Sequence, residues 1–126
     1  MGGEKKKIFL LEDDKFLSEM YVTKLTESGF DVETAIDGEE GFRKIKETKP
    51  DLVLLDMVLP KKDGFEILAE IKKDAALKNI FVIALTNLGQ KEEVEKGMKL
   101  GADDYVVKAH FTPTEVAAKV RKFLNK

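Results

Sequence analysis

Acidic residues follow two short apolar runs of the chain, at the positions where those runs end. Glu12 and Asp13 come directly after KIFLL, and Asp56 comes directly after LVLL. A run as short and as rich in Leu and Val as LVLL, bounded by turn residues, is typical of a strand buried on both faces. Because ionised carboxylates are seldom buried without a partner, an acid at the end of such a strand requires a functional explanation.

Two further polar side chains end apolar runs. Thr86 follows IFVIAL and Lys108 follows DYVV. If these runs are parallel strands of one sheet, the side chains at their ends meet at one edge, where neighbouring strands lie about 4.8 Å apart. Three carboxylates in so small a space need a cation. A few oxygen ligands with room for water favour Mg²⁺ over Zn²⁺ or an all-protein Ca²⁺ site.

A carboxylate, a divalent ion, a hydroxyl and an ammonium around one pocket suit phosphoryl transfer. The metal, Thr86 and Lys108 would stabilise the oxygens of the transferring group. Asp56 would be the nucleophile and would become an aspartyl phosphate. Cysteine is absent, which excludes thiolate chemistry, and the single His110 leaves little for a histidine-based metal cluster.

The runs that carry these residues alternate with longer segments of helical period. Short apolar runs occupy residues 7–11, 31–35, 52–55, 80–85 and 104–107. The segments between them repeat apolar residues every three or four positions, as at Leu17, Tyr21 and Leu25. Strands that alternate with helices through right-handed crossovers form a parallel sheet covered on both faces. The predicted fold is a doubly wound α/β domain with five parallel strands and five helices.

Length and composition indicate one globular domain. A chain of 126 residues, 43% hydrophobic and 37% charged, is long enough to bury a core. We expect one domain over residues 1–126, with a disordered start at 1–6 and a core at about 7–124. The net charge of -2 favours no nucleic acid, and no apolar segment reaches the ~18 residues of a membrane span. We therefore expect a cytoplasmic protein without direct nucleic acid or membrane partners.

Four motifs resemble the receiver domain of two-component response regulators. They are LLEDDKFL, LLDMVLPKKDGFEIL, ALT and ADDYVVK, in this order and spacing. Each motif alone is weak, but the combination is specific and covers about residues 6–124. The resemblance implies a flavodoxin-like three-layer sandwich with strand order 2-1-3-4-5. It also implies that a sensor histidine kinase or a histidine phosphotransfer protein donates a phosphoryl group, and that a downstream effector protein receives the signal.

The resemblance also implies a role for each residue at the strand ends. Asp56 is similar to the phosphoacceptor, and Lys108 to the phosphate-contacting base. Four groups are similar to the ligands of Mg²⁺: Glu12, Asp13, Asp56 and the Val58 backbone carbonyl. A receiver domain is not an enzyme toward other substrates, because it catalyses only its own phosphorylation and dephosphorylation.

Two more residues resemble the parts of a receiver that respond to phosphorylation. Thr86 is similar to the switch hydroxyl. Tyr105 is similar to the aromatic residue that turns inward when this hydroxyl moves toward the phosphoryl group. In the family the change spreads to the face formed by the fourth helix, the fifth strand and the fifth helix. Taken alone, Thr86 and Tyr105 would be interpreted as an ordinary strand residue and a core aromatic.

Three positions depart from the usual receiver pattern. Ala109 stands where Pro commonly follows the Lys, so the Lys108–Ala109 peptide should be trans, because a non-proline cis bond costs about 2.5–4 kcal/mol. Asn87 stands where Ala or Gly is common, and its amide could restrict water at the phosphoryl group or donate to it. Glu12 replaces a more frequent Asp and lengthens the arm that reaches the metal.

Other interpretations compete with the phosphoacceptor. A flavin-binding protein of this topology needs a phosphate-binding loop after the first strand, where EDDKFL presents anions instead. A phosphorylation-independent interaction module would lack Asp56 or Lys108, and this chain has both. A hydrolase with an Asp nucleophile needs a substrate-covering insertion, for which 126 residues leave no room. Asp14 has a structural interpretation, as the N-cap of the first helix.

Overall fold

Parallel strands and helices alternate along the chain in the structure, a computed structural model in which residues 5–87 and 91–124 are described. The strands are β1 (Lys7–Leu11), β2 (Asp31–Ala35), β3 (Leu52–Asp56), β4 (Phe81–Thr86) and β5 (Asp104–Val107). The α-helices are α1 (Lys15–Glu27), α2 (Gly38–Thr48), α3 (Gly64–Lys73), α4 (Lys91–Lys99) and α5 (Pro113–Leu124). Residues 1–4, which belong to the start that we expect to be disordered, lie outside the described residues.

The strands form one parallel sheet in the order β2-β1-β3-β4-β5. Leu11 pairs with Leu55, and Asp56 pairs with Leu85, so β1, β3 and β4 end at the same edge. The strand order reverses between β1 and β3, and sites in doubly wound sheets form in the crevice at this point. The predicted fold and the implied strand order are both confirmed.

Apolar side chains cover both faces of the sheet. On one face, β1 and β3 pack against α2 and α3 through residues such as Ile45 and Ile67. On the other face, they pack against α1 and α5 through residues such as Tyr21 and Val120. All five residues of β3 are buried, because successive side chains of a strand point to opposite faces and both faces are covered. The chain thus carries Asp56 into a dry position at the end of its central strand.

Side chains cap the helices that begin near this edge. Asp14 accepts a hydrogen bond of 3.1 Å from a backbone N–H in the first turn of α1. Asp37 and Asp63 cap α2 and α3 in the same way. At α5, the Thr112 hydroxyl and the Glu115 carboxylate each accept from the other residue's N–H, as a capping box predicts. Asp14 therefore has the structural role expected of it, which leaves Glu12 and Asp13 for the strand-end site.

Candidate acidic site at the strand ends

Three carboxylates meet at the edge where β1 and β3 end. One oxygen each from Glu12, Asp13 and Asp56 lies within 4.8 Å of the others. Glu12 and Asp56 are buried, whereas Asp13 is exposed. The structure therefore brings together the three acids that the sequence singled out, two in a dry environment and one open to solvent.

Lys108 contacts both buried acids. Its Nζ lies 2.6 Å from Glu12 Oε1 and 2.8 Å from Asp56 Oδ2, and its side chain is only 9% exposed. The residue follows β5 directly, at the start of a 3-10 turn, Lys108–His110. Removing charges from water is costly unless they are closely paired, so this short pairing compensates part of the cost of burying the two acids.

Backbone amides bind the second oxygen of each buried acid. The Asp14 N–H donates to Glu12 Oε2 at 3.1 Å, and the Val58 N–H donates to Asp56 Oδ1 at 3.0 Å. Glu12 Oε1 accepts no well-oriented hydrogen bond from the described residues, despite its short distance to Lys108. A buried carboxylate oxygen with spare lone pairs, in an all-oxygen set of three acids, fits a hard divalent cation such as Mg²⁺. The Val58 carbonyl as a further ligand stays a prediction.

Burial changes the protonation of this cluster. Desolvation raises the pKa of Glu12 from 4.5 to about 7, and the contact with Lys108 and the Asp14 amide offset only part of that effect. Burial lowers the pKa of Lys108, but the contacts with Asp56 and Glu12 outweigh it and leave that pKa above its ordinary value. The ammonium therefore stays charged, and Glu12 is the group of this pair that exchanges a proton near neutral pH.

Glu12→Gln should stabilise the protein at high pH when no metal is added. The folded pKa is about 7 and the ordinary value is 4.5, so the folded state binds this proton more tightly than the unfolded state. Ionisation of Glu12 therefore lowers the free energy of unfolding. This loss is absent below pH 4.5, grows as the pH rises to about 7 and is complete above that value. A shift of this size corresponds to roughly 3 kcal/mol. Urea unfolding in a chelator should show a larger gain for the variant at high pH than at low pH, and an equal gain at both would contradict the assignment.

Thr86 and Tyr105 lie close together on the α4 side of the site. Thr86 ends β4 and is buried, while Tyr105 lies in β5 beside Ala84 and is 38% exposed. Both residues line a small cavity with Met57 of the β3–α3 loop and Met98 of α4. The edge position of β5 leaves the Tyr105 ring partly in solvent, so it is not the core aromatic that the residue alone would suggest.

The positions that depart from the receiver pattern have simple local structures. The described residues contain no cis peptide, so the predicted trans Lys108–Ala109 bond is confirmed. Ala109 and His110 are exposed within the 3-10 turn. Asn87 is exposed directly after β4, and residues 88–90 that follow it lie outside the described residues.

Two other properties of this edge were not predicted from the sequence: the close packing of Gly64, and the exposure of the Phe16 and Val58 side chains. Gly64 begins α3 against Asp56, and its N–H donates to the Met57 carbonyl at 3.0 Å. The apolar side chains of Phe16 and Val58 are 74% and 68% exposed, and these residues are close in sequence to Asp13 and Asp56. The exposure of Phe16 could have been predicted, because this residue lies outside the apolar stripe of α1. No local pattern marks Gly64 as a contact residue.

None of the helices in the described ranges combines the length and the apolar character that a membrane span requires.

A comparison with protein families matches the response regulator receiver domain over residues 8–121. Receiver domains of response regulators are generally not classical enzymes, and response regulators partner with histidine kinases. An acidic cluster able to hold a metal is consistent with this family.

Named proteins show the same relationship. The chain is 38% identical over 122 residues to the probable transcriptional regulator ycf27 of Guillardia theta, covering 97% of this chain and 46% of the relative. It is 38% identical over 123 residues to the alkaline phosphatase synthesis transcriptional regulatory protein PhoP of Bacillus subtilis, covering 96% of this chain and 49% of PhoP. The chain thus spans about half the length of the curated relatives it matches.

A solved structure extends the match to three dimensions. The BeF3-activated receiver domain of DrrB, a response regulator of Thermotoga maritima, superposes with a TM-score of 0.85 at 36% identity. The match covers 98% of this chain and 100% of the DrrB domain. Together with the family match over residues 8–121, these relatives show that the chain belongs to the receiver-domain family of response regulators.

Proposed function

We propose that this chain accepts a phosphoryl group on Asp56 in a Mg²⁺-dependent reaction of two-component signalling. The observation that carries the proposal is the environment of Asp56, a buried carboxylate with Lys108 at 2.8 Å and two more acids in the same cluster. A structural role does not account for this arrangement, because burying two acids around one lysine, with a third acid beside them, is costly. The donor would be the phosphohistidine of a sensor kinase or of a histidine phosphotransfer protein.

The residues of the site would divide the reaction between them. An oxygen of Asp56 would form the new bond to phosphorus as the bond from phosphorus to the donor imidazole nitrogen breaks. Glu12, Asp13, Asp56 and the Val58 carbonyl would hold Mg²⁺, which supplies positive charge for the phosphoryl oxygens. Lys108 would supply a second charge at a position already fixed by its contact with Asp56. The chain would catalyse only this reaction on itself and the later hydrolysis of the aspartyl phosphate, in which water takes the phosphoryl group and the Asp56 carboxylate is restored.

The same geometry supports a conformational response. Thr86 and Tyr105 line one cavity, so a movement of the Thr86 hydroxyl toward a phosphoryl group would leave space into which the Tyr105 ring could turn. Tyr105 lies in β5, between α4 and α5, and its movement would change the surface that these three elements form. That surface would contact the downstream effector.

The exposed residues near Asp56 and the names of the relatives both bear on which partners this chain binds. The exposed side chains of Phe16 and Val58, close in sequence to Asp13 and Asp56, would offer apolar contacts to a phosphoryl donor. One curated relative, RpaA of Synechocystis, is named as a DNA-binding dual master transcriptional regulator. We infer no DNA contact by the receiver itself, because its charges nearly balance at a net -2. The proposed location is the cytoplasm, as for other response regulators.

Incubation with a small phosphodonor such as acetyl phosphate tests the reaction. In the presence of Mg²⁺, phosphate-affinity electrophoresis should show a retarded form of the wild-type protein, and a chelator should prevent its formation. A protein that is never retarded, or that is retarded equally in the chelator, would contradict the proposed function.

Thr86→Val should separate phosphorylation from the response. Valine keeps the shape of threonine but has no hydroxyl, so uptake of the phosphoryl group should stay within about threefold of the wild-type rate, since the metal and Lys108 remain. The NMR signals of the Tyr105 ring should then shift with Mg²⁺ and beryllium fluoride in the wild type but not in the variant. A Tyr105 response of full size in the variant would show that Thr86 is not the link.

A further inference from the structure

Lys108 and two backbone amides lie close to all four oxygens of the two buried acids. Glu12 Oε2 accepts from the Asp14 N–H, and Asp56 Oδ1 accepts from the Val58 N–H. The remaining oxygens, Glu12 Oε1 and Asp56 Oδ2, both face the Lys108 ammonium at 2.6 and 2.8 Å. A divalent cation that uses either buried acid must therefore take an oxygen that Lys108 contacts or one that a backbone amide holds.

The two contacts of Lys108 differ in quality. Asp56 Oδ2 accepts a well-oriented hydrogen bond from Nζ. Glu12 Oε1 is as close to Nζ but accepts no well-oriented hydrogen bond, although it is fully buried. Hydrogen bonds weaken steeply as their angles depart from linearity, so the Glu12 contact depends mainly on charge. Glu12 Oε1 is therefore the oxygen that Lys108 gives up more easily.

A cation in the cluster would also repel the ammonium. Two positive charges a few ångström apart repel each other strongly in a site with little water. Asp13 is exposed and offers a carboxylate oxygen that Lys108 does not contact, so an entering ion can bind Asp13 first. When the ion reaches Glu12 Oε1 from Asp13, charge repulsion favours withdrawal of the ammonium from that oxygen.

We propose that Lys108 competes with the divalent cation for Glu12, and that metal binding moves the ammonium from a position shared by two acids to a contact with Asp56 alone. This inference rests on the metal site of the proposed function and adds a means of regulating it. The Lys108–Glu12 contact lowers the affinity of the site for metal. Metal binding, in turn, commits Lys108 to the acid that would receive the phosphoryl group.

Affinities for Mg²⁺ by calorimetry and for Mn²⁺ by electron paramagnetic resonance test the competition. Lys108→Met and Lys108→Gln should each bind both ions roughly tenfold more tightly than the wild type, because the competing charge is gone. Lys15→Met is the matched control, since Lys15 carries the same charge and is exposed at the start of α1, two residues after Asp13. Its affinity should stay within about twofold of the wild type, because a charge in solvent is screened.

A second measurement uses the wild type and does not depend on whether the variants fold. Exchange of the Lys108 ammonium protons with water, followed by NMR, should become several-fold faster on saturation with Mg²⁺, because one of two carboxylate partners is lost. Unchanged exchange at saturation, or Lys108 variants that fold and bind with wild-type affinity, would overturn the competition. An equal gain in Lys15→Met would assign the effect to general electrostatics and also overturn it. A wild type that binds neither ion would instead contradict the proposed function itself.

Discussion

Lys108→Ala should slow phosphoryl uptake by roughly 100-fold, which is the usual cost of removing one charge that stabilises a transition state. The Lys108 side chain is 9% exposed and its Nζ lies 2.8 Å from Asp56 Oδ2, so water cannot readily replace it. The single-turnover rate with a small phosphodonor should be measured at saturating Mg²⁺, so that any change in metal affinity does not enter the comparison.

The matched control for this experiment is Lys15→Ala, which removes an exposed lysine near the same edge and should react at close to the wild-type rate. A Lys108→Ala protein that reacts within about threefold of the wild type, well short of the loss expected for a transition-state charge, would contradict the role of Lys108. If Lys108 also competes with metal, the variant should bind Mg²⁺ more tightly while it reacts more slowly. A general loss of structure would lower both quantities together.

Gly64→Ala should destabilise the fold by about 2–3 kcal/mol, as overpacking of a rigid contact does. A Cβ at this position would lie 2.3 Å from the Asp56 carbonyl oxygen and 2.6 Å from the Met57 Cα. Both neighbours are backbone atoms and cannot rotate away, so either α3 or the end of β3 has to move. The shift would also displace Asp56, and phosphoryl uptake should fall along with stability.

Gly97→Ala is the control for the glycine substitution. Gly97 lies inside α4, and a Cβ there would meet no atom within 4 Å. Alanine is a better helix former than glycine, so this variant should gain about 0.5–1 kcal/mol. Urea unfolding of both variants gives the comparison. A Gly64→Ala protein as stable as the wild type would show that the contact between α3 and β3 is not rigid.

The strand-end acids could be predicted because a parallel sheet aligns its carboxyl ends. The apolar runs before Glu12 and Asp56 identified strands, and the neighbouring strands do end at one edge. The alternation of strands and helices could also be predicted. Apolar residues at every third or fourth position indicate helices, whereas short continuous apolar runs indicate strands. The strand order did not follow from periodicity, because a stripe of apolar residues does not specify which strands are neighbours. It came from the family resemblance.

The sequence could not indicate how the charges pair. Glu12 and Asp13 are adjacent, yet one is fully buried and the other exposed, because successive side chains leave an extended chain in opposite directions. The contact of Lys108 with Glu12 joins β5 to β1 across β3 and β4, and no local pattern reports a distance of that kind. Gly64 is hidden for the same reason, since its neighbours at Asp56 and Met57 meet it only after α3 folds back.

The central claim is that Asp56 is the phosphoacceptor, and intact-mass measurement with peptide mapping tests it most directly. Wild type, Asp56→Asn and a control, Asp51→Asn, would each be incubated with acetyl phosphate and either Mg²⁺ or a chelator. Asp51 lies just before β3, where it accepts a hydrogen bond from the Lys7 N–H.

With Mg²⁺, wild type and Asp51→Asn should each gain one phosphoryl group, in the peptide that contains Asp56. Asp56→Asn should gain none, and no protein should gain one in the chelator. A wild type that gains no phosphoryl group, or an Asp56→Asn protein that gains the same group as the wild type, would contradict the claim.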